Sequence, residues 1–164
     1  MLELYRAWAP LGVDRFYKLV REHYYDSAAV YRVVPNFVVQ FGLAADPKRT
    51  AAYRRAPILD DSVRTSNLRG TVTFARARMN SRTTQLFINL TDNARLDSSD
   101  GFGFPPIGRV VQGMELVDRF NAEYSARTPS QDSIMQQGNR YLSRAYPRLD
   151  YIVRMRVARE WRRR

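Results

Sequence analysis

The chain has 164 residues, 45% of them hydrophobic and 12% aromatic, enough for one compact domain with a sizeable core and cramped for two. Its 27 lysines and arginines against 16 carboxylates give a formal charge of +11, a balance that favours polyanions, anionic surfaces or acidic clients through long-range steering and is silent on fold. With no cysteine and one histidine, the composition excludes a disulfide framework, a thiol nucleophile, a thiolate metal site and any triad or zinc site needing more than His23.

Leu2 to Arg6 alternates like a half-buried strand that begins almost at the first methionine. After Pro10 and Gly12, Val13, Phe16, Tyr17 and Val20 recur at helical spacing, with Asp14 placed to complement the helix dipole in the first turn. This helix ends near Glu22-His23, and Tyr24-Tyr25-Asp26-Ser27 leads into a turn. Tyr31 to Val34 and Phe37 to Phe41 are β-branched and aromatic runs on either side of Pro35-Asn36, a pair suited to a tight turn. Alternation sets Arg32 and Val34 opposite Tyr31 and Val33, and Phe37 and Val39 opposite Val38 and Gln40.

Residues 43–69, with Pro47, Pro57 and Asn67, read as a long surface excursion holding one short helical turn around 51–55. Strands follow over 71–75 and 85–90, separated by an arginine-rich loop. Asp97 to Gly101 is a turn cluster and 107–111 another strand; Met114, Leu116, Val117 and Phe120 share one side of a second short helix. Polar residues from Ser125 to Gln137 read as a surface loop, and 151–157 alternates as a closing strand. About eight short strands with two helices leave barrel and sandwich equally open on periodicity alone.

A strand arginine is ordinarily a solvated edge residue or half of a salt bridge. However, the segment from Phe74 to Asn89 repeats the form of 31–42: a strand, a polar loop, then a strand with Gln85 two residues before Phe87. Together the two resemble the signature segments of the cyclophilin-type peptidyl-prolyl isomerases, over about residues 1 to 124. The resemblance implies a mainly β fold, a closed antiparallel eight-stranded barrel capped by two α-helices. The expected organisation is a single domain over 1–164, with 125–150 a loop and helical extension and 158–164 a basic tail.

The resemblance also implies an activity, rotation about Xaa-Pro peptide bonds in support of protein folding, with no cofactor and no metal. It implies Arg32 and Gln40 as the catalytic pair, with Gln85 as a second amide. Phe37, Val38, Phe87, Leu96 and Phe104 match the apolar pocket for the proline ring, and the main chain around Ala75, Arg76 and Ala77 would pair with an extended peptide. Departures are visible: Arg95 stands where many members carry tryptophan or phenylalanine, so cyclosporin-like cyclic peptides are expected to bind only weakly. Phe104 replaces a frequent histidine, and Ala77-Arg78-Met79-Asn80-Ser81 is bulkier and more cationic than the usual loop.

The expected partners are proline-containing peptides and unfolded clients, met by a monomer. Two other classes stay open: a barrel that binds proline peptides without turning them over, and a basic aromatic barrel that binds single-stranded nucleic acid by stacking and phosphate contact. No apolar run approaches membrane-spanning length and no signal-peptide pattern opens the chain, and the location stays open: cytoplasmic from the chain as given, periplasmic or secreted if an upstream presequence was removed.

Overall fold

The computed structural model describes residues 1–160. Its six strands are β1 (Leu2–Leu4), β2 (Val30–Val34), β3 (Val38–Phe41), β4 (Thr71–Phe74), β5 (Leu86–Asn89) and β6 (Pro106–Val110). All pair antiparallel in one sheet of order β1-β6-β4-β5-β3-β2. The sheet is open, which corrects the expected closed eight-stranded barrel.

The reason lies at the β2 edge. The segment read as a closing strand, 151–157, touches that edge at one bridge, Ala29 to Tyr151, supported by Val30 N–H to Asp150 O and Ile152 N–H to Ala28 O, each 2.9 Å. It then leaves the ladder: Met155 N–H donates to the Asp26 carboxylate at 3.0 Å, and Val153 is 86% exposed. Ile152, Met155 and Val157 pack on the core while Val153 does not, so the segment does not keep the period-two faces of a ladder strand.

Period-two alternation sorts the sheet into two faces. Val30, Val33, Val39, Phe41, Val72, Phe74, Leu86, Ile88 and Ile107 enter the main core with helix α1 (Pro10–Arg21), whose Val13, Phe16, Leu19 and Val20 are buried. Because α1 begins at Pro10, Asp14 lies beyond its first turn and pairs with Arg6 at 2.6 Å. Tyr17, expected on the core side, points outward at 38% exposed. The N-terminus of α1 is held instead by Asp61, which accepts from Leu11 N–H at 3.0 Å and Gly12 N–H at 2.9 Å.

Helix α2 (Pro47–Arg54) is longer than the single turn expected: Pro47 opens it and Asp46 accepts from Lys48 N–H at 2.9 Å. In α3 (Met114–Val117) Val117 is buried, but Leu116 is 59% exposed and not on the inner side as its spacing suggested. The run read as a surface loop, 125–137, ends in α4 (Gln131–Gln137), capped by Ser130 accepting from Ser133 N–H at 3.3 Å. With α5 (Asn139–Ala145) it buries Ile134 and Leu142 beside Ala29, Tyr31, Leu43 and Tyr146, a second core that backs β2. The serine and glutamine content concealed α4, where a single fully buried residue, Ile134, with Met135 beside it does the packing, while α5 falls in the helical extension expected over 125–150. The basic tail expected over 158–164 runs into residues 161–164, outside the described residues.

Gly138 joins α4 to α5 at φ 58°, and a Cβ there would sit 2.1 Å from Ala45 O. We predict that Gly138→Ala lowers stability by about 1–3 kcal/mol, through left-handed backbone strain added to a displaced neighbour. Urea unfolding at unchanged m-value reads it.

Candidate active site

The face of the sheet away from α1 carries one continuous cross-strand row. Arg32 on β2 is opposite Gln40 on β3, Gln40 opposite Phe87 on β5, Phe87 opposite Thr73 on β4, and Thr73 opposite Pro106 on β6. The β2–β3 turn sets this register: Pro35 leads, Asn36 takes φ 58°, and Phe37 N–H closes the turn on Val34 O at 3.0 Å. Arg32 therefore lies beside an amide and, one strand further, an aromatic ring.

Amides hold the guanidinium in place. Arg32 Nη1 donates to Gln40 Oε1 at 3.0 Å, Gln40 Nε2 donates to Gln85 Oε1 at 3.2 Å, and the Tyr31 hydroxyl donates to the same Gln85 oxygen. Tyr31 reaches that side because the register slips between Val30 and Arg32, leaving Tyr31 as the extra residue of a β-bulge. Burial pushes the Tyr31 hydroxyl well above its ordinary value, so it acts as a neutral donor. Gln40 is 8% exposed while Arg32 is half-buried, so the relay is protected and its cationic end faces solvent.

Next to this end opens a cleft of about 200 Å³, lined by Arg32, Phe37, Val38, Gln40, Ala75, Arg76, Phe87, Leu96 and Phe104. The Phe87 and Phe104 rings meet edge to face at 5.9 Å between centroids. Arg76 covers Phe104, its guanidinium carbon 4.7 Å from the ring centre, and donates through Nη2 to Gly103 O at 2.9 Å. The Arg76 side chain is 1% exposed, although the residue as a whole is only half-buried, so its main chain is the part that meets solvent. A larger hollow of about 310 Å³, between Val20, Arg21, His23, Arg156 and Val157, shares none of these residues.

A buried polar floor fixes the cleft walls. Asn89 Nδ2 donates to Thr71 Oγ1 at 2.8 Å, and Thr73 Oγ1 donates to Asn67 Oδ1 at 2.9 Å. Asn93 Nδ2 reaches Asn89 Oδ1 at 2.8 Å and Phe37 O at 3.0 Å, while Asn67 Nδ2 reaches Asp97 Oδ1 and Phe104 O, both at 2.8 Å. Phe37, Leu96 and Phe104 are thus held by main-chain oxygens: Leu90 N–H also donates to Phe37 O, and Phe104 N–H to Leu96 O. Every buried polar group in this floor has a partner, the condition under which such a network specifies one arrangement.

Burial alone would raise the Asp97 carboxyl, but hydrogen bonds from Ser66 and from the Asn67 side chain and backbone outweigh it and hold it below its ordinary value. Its share of stability is therefore full above the unfolded value, near pH 4, and is lost as pH falls through the lower folded value. We predict that the urea midpoint drops less between pH 5 and pH 3 (roughly the carboxylate range) in Asp97→Asn than in the parent chain.

Of the residues expected at the site, nine line the cleft. Gln85 sits one layer behind, as the acceptor at the end of the relay, and Ala77 is exposed outside the cleft. Three features escaped sequence reading: the Tyr31 hydroxyl, the Asn67-Asn89-Asn93 floor, and the Arg76 side chain. The Arg95 guanidinium also lies over the Phe37 ring, 4.7 Å from its centre, at the rim of the cleft.

An open antiparallel sheet backed by helices carries an amide-held arginine beside an aromatic cleft with a second arginine at its rim. The profile of the family described as cyclophilin type peptidyl-prolyl cis-trans isomerase/CLD matches residues 1–139, and the chain belongs to that family. It is 39% identical over 119 residues to peptidyl-prolyl cis-trans isomerase A of Dickeya dadantii, covering 69% of this chain and 60% of the relative. It is 35% identical over 122 residues to a peptidyl-prolyl cis-trans isomerase of Acinetobacter baylyi, covering 72% and 64%. The chain thus spans less than two thirds of the length of these two relatives. The crystal structure of a Cryptosporidium parvum cyclophilin type peptidyl-prolyl cis-trans isomerase, determined in the presence of the dipeptide Ala-Pro, superposes with a TM-score of 0.62 at 20% identity. That superposition covers 79% of this chain and 84% of the other and shows a shared fold. Among the described residues no helix is long and apolar enough to cross a membrane.

Proposed function

We propose that this chain catalyses cis-trans rotation about Xaa-Pro peptide bonds, with Arg32 as the catalytic residue and the cleft as the proline site. The observation that carries the reading is the Arg32–Gln40–Phe87 row, which places a fixed guanidinium at the edge of an apolar slot. An Xaa-Pro amide resists rotation by about 18–20 kcal/mol because resonance stiffens its C–N bond. No covalent bond needs to form or break. As the bond twists, conjugation is lost and the proline nitrogen regains a lone pair that can accept a hydrogen bond; a guanidinium N–H placed there stabilises the twisted state more than either planar one.

The other residues divide the remaining work. Phe37, Val38, Phe87, Leu96 and Phe104 would hold the ring, and the solvent-facing main chain at Arg76, with Ala75, would fix the segment before proline while the ring end turns. Gln40 holds Arg32 from within the cleft lining, and Gln85 and Tyr31, one layer behind, act as positioning residues through Gln40. A nucleic-acid reading lacks the row of exposed rings that base stacking needs: the aromatic residues of this face are buried or half-buried. The test is NMR exchange spectroscopy on a proline peptide. Cis-trans cross-peaks that appear with substoichiometric protein are expected; binding shifts without exchange would make the cleft a recognition module.

A further inference from the structure

We propose that the cleft is selective for the residue after proline, and that Arg95 makes an acidic residue there the preferred one. This rests on the reading of the cleft as a proline site. The two ends of the cleft are set by β5: at its start Ala75 N–H donates to Gln85 O, and past its end Leu90 N–H donates to Phe37 O, both at 2.9 Å. A peptide whose pre-proline segment pairs beside Ala75 and Arg76 therefore leaves the ring pocket toward Phe37. Arg95 lies at that end, stacked on the Phe37 ring with its residue exposed to solvent.

The charges around that exit are one-sided. Arg95 has no carboxylate within ion-pair distance among the described residues, and neither has Arg32. Asp97, which shares the 3₁₀ turn Ala94–Asp97 with Arg95, turns the other way, into Ser66 and Asn67. Asp60 is likewise committed to Arg82 and to the loop at Asn80. Arg95 thus reaches this end of the cleft with no carboxylate of its own chain paired to it among the described residues. Stacking on Phe37 pre-orders the Arg95 fork, so less side-chain freedom is lost when it meets a carboxylate.

The experiment compares three peptides that differ only after proline, bearing Glu, Gln or Lys, by exchange NMR for turnover and by chemical-shift titration for binding. Glu is expected to exceed Lys about 3- to 10-fold in kcat/KM and affinity at low salt, narrowing as salt screens the pair. Arg95→Lys should keep most of the Glu preference, Arg95→Gln remove it and Arg95→Glu invert it. Equal handling of all three peptides by an active parent chain, or a Glu preference that survives Arg95→Gln, overturns the subsite. A Glu preference in affinity without turnover of any peptide supports the subsite and overturns the isomerase reading instead.

Discussion

Arg32→Ala should lower kcat/KM for a proline peptide by about 10²- to 10³-fold, the range found when one preorganised transition-state donor is removed. Arg32 is half-buried, and its polar partner is Gln40, which keeps a second bond to Gln85 when the guanidinium is gone. The fold should therefore tolerate the change, with an unfolding midpoint close to that of the parent. Peptide affinity should fall far less than turnover, because the ring pocket of Phe37, Val38, Phe87, Leu96 and Phe104 is left in place. Arg32→Lys is the stricter comparison. An ammonium has no planar fork with which to hold Gln40 and address the proline nitrogen at once, and it is more strongly hydrated, so the charge alone should recover little of the rate. Retention of most of the parent activity by either variant would remove Arg32 from the catalytic role; loss of affinity in step with turnover would make it a binding residue only.

Tyr31→Phe separates the positioning role from chemistry, since it deprives Gln85 of one donor without touching Arg32. Its effect should be a modest fall in kcat at nearly constant affinity, well short of that of Arg32→Ala. It was also the residue whose place was least legible in the sequence. Strict alternation put Tyr31 opposite Arg32, and the bulge that brings its hydroxyl round to the relay leaves no mark in the residue pattern.

Where the pattern did report, the cause is the short period of a strand. Arg32 and Gln40 are separated by a turn whose Pro35 and Asn36 fix the hairpin, so their facing positions follow once the turn is recognised. The floor had no such handle. Asn67 and Asn93 lie in loops, where an asparagine looks alike whether it is solvated or buried with all its bonds made. The same ambiguity turned an apolar alternation over 151–157 into a barrel strand, although only Tyr151 bridges to the sheet edge. Arg76 and Arg82 illustrate it most sharply: both stand in a polar, arginine-rich loop, which reads as solvent-facing, yet their side chains are 1% and 0% exposed.

Arg82→Met should destabilise the protein by about 3–5 kcal/mol, because it strands the buried Asp61 carboxylate and leaves Asp60 only a longer ion pair to Arg76. Arg82 Nη2 donates to Asp61 Oδ2 at 3.0 Å and also to Leu59 O, and its Nε lies 2.9 Å from Asp60 Oδ1. Asp60 and Asp61 side chains are 11% and 4% exposed. Arg76 Nε is 3.8 Å from Asp60 Oδ2, too distant to substitute for the lost pair. The Nε contact of Arg82 is an ion pair without hydrogen-bond alignment, and its Nη1 has no acceptor, so the cluster is an expensive arrangement even when intact. Its use is connectivity: Asp61 holds the first turn of α1, Asp60 accepts from Asn80 N–H at 2.7 Å, and Arg82 joins the two loops beneath Arg76 and the Phe104 wall of the cleft. Removing only the cation should therefore cost more than removing the whole set. The triple variant Arg82→Met, Asp60→Asn, Asp61→Asn is expected to recover part of the loss in urea, since amides need no counter-charge and the amide oxygen introduced by Asp61→Asn could still cap α1. A single variant within about 1 kcal/mol of the parent would mean that water already shields these carboxylates, and the cluster would then have no claim on the geometry of the cleft.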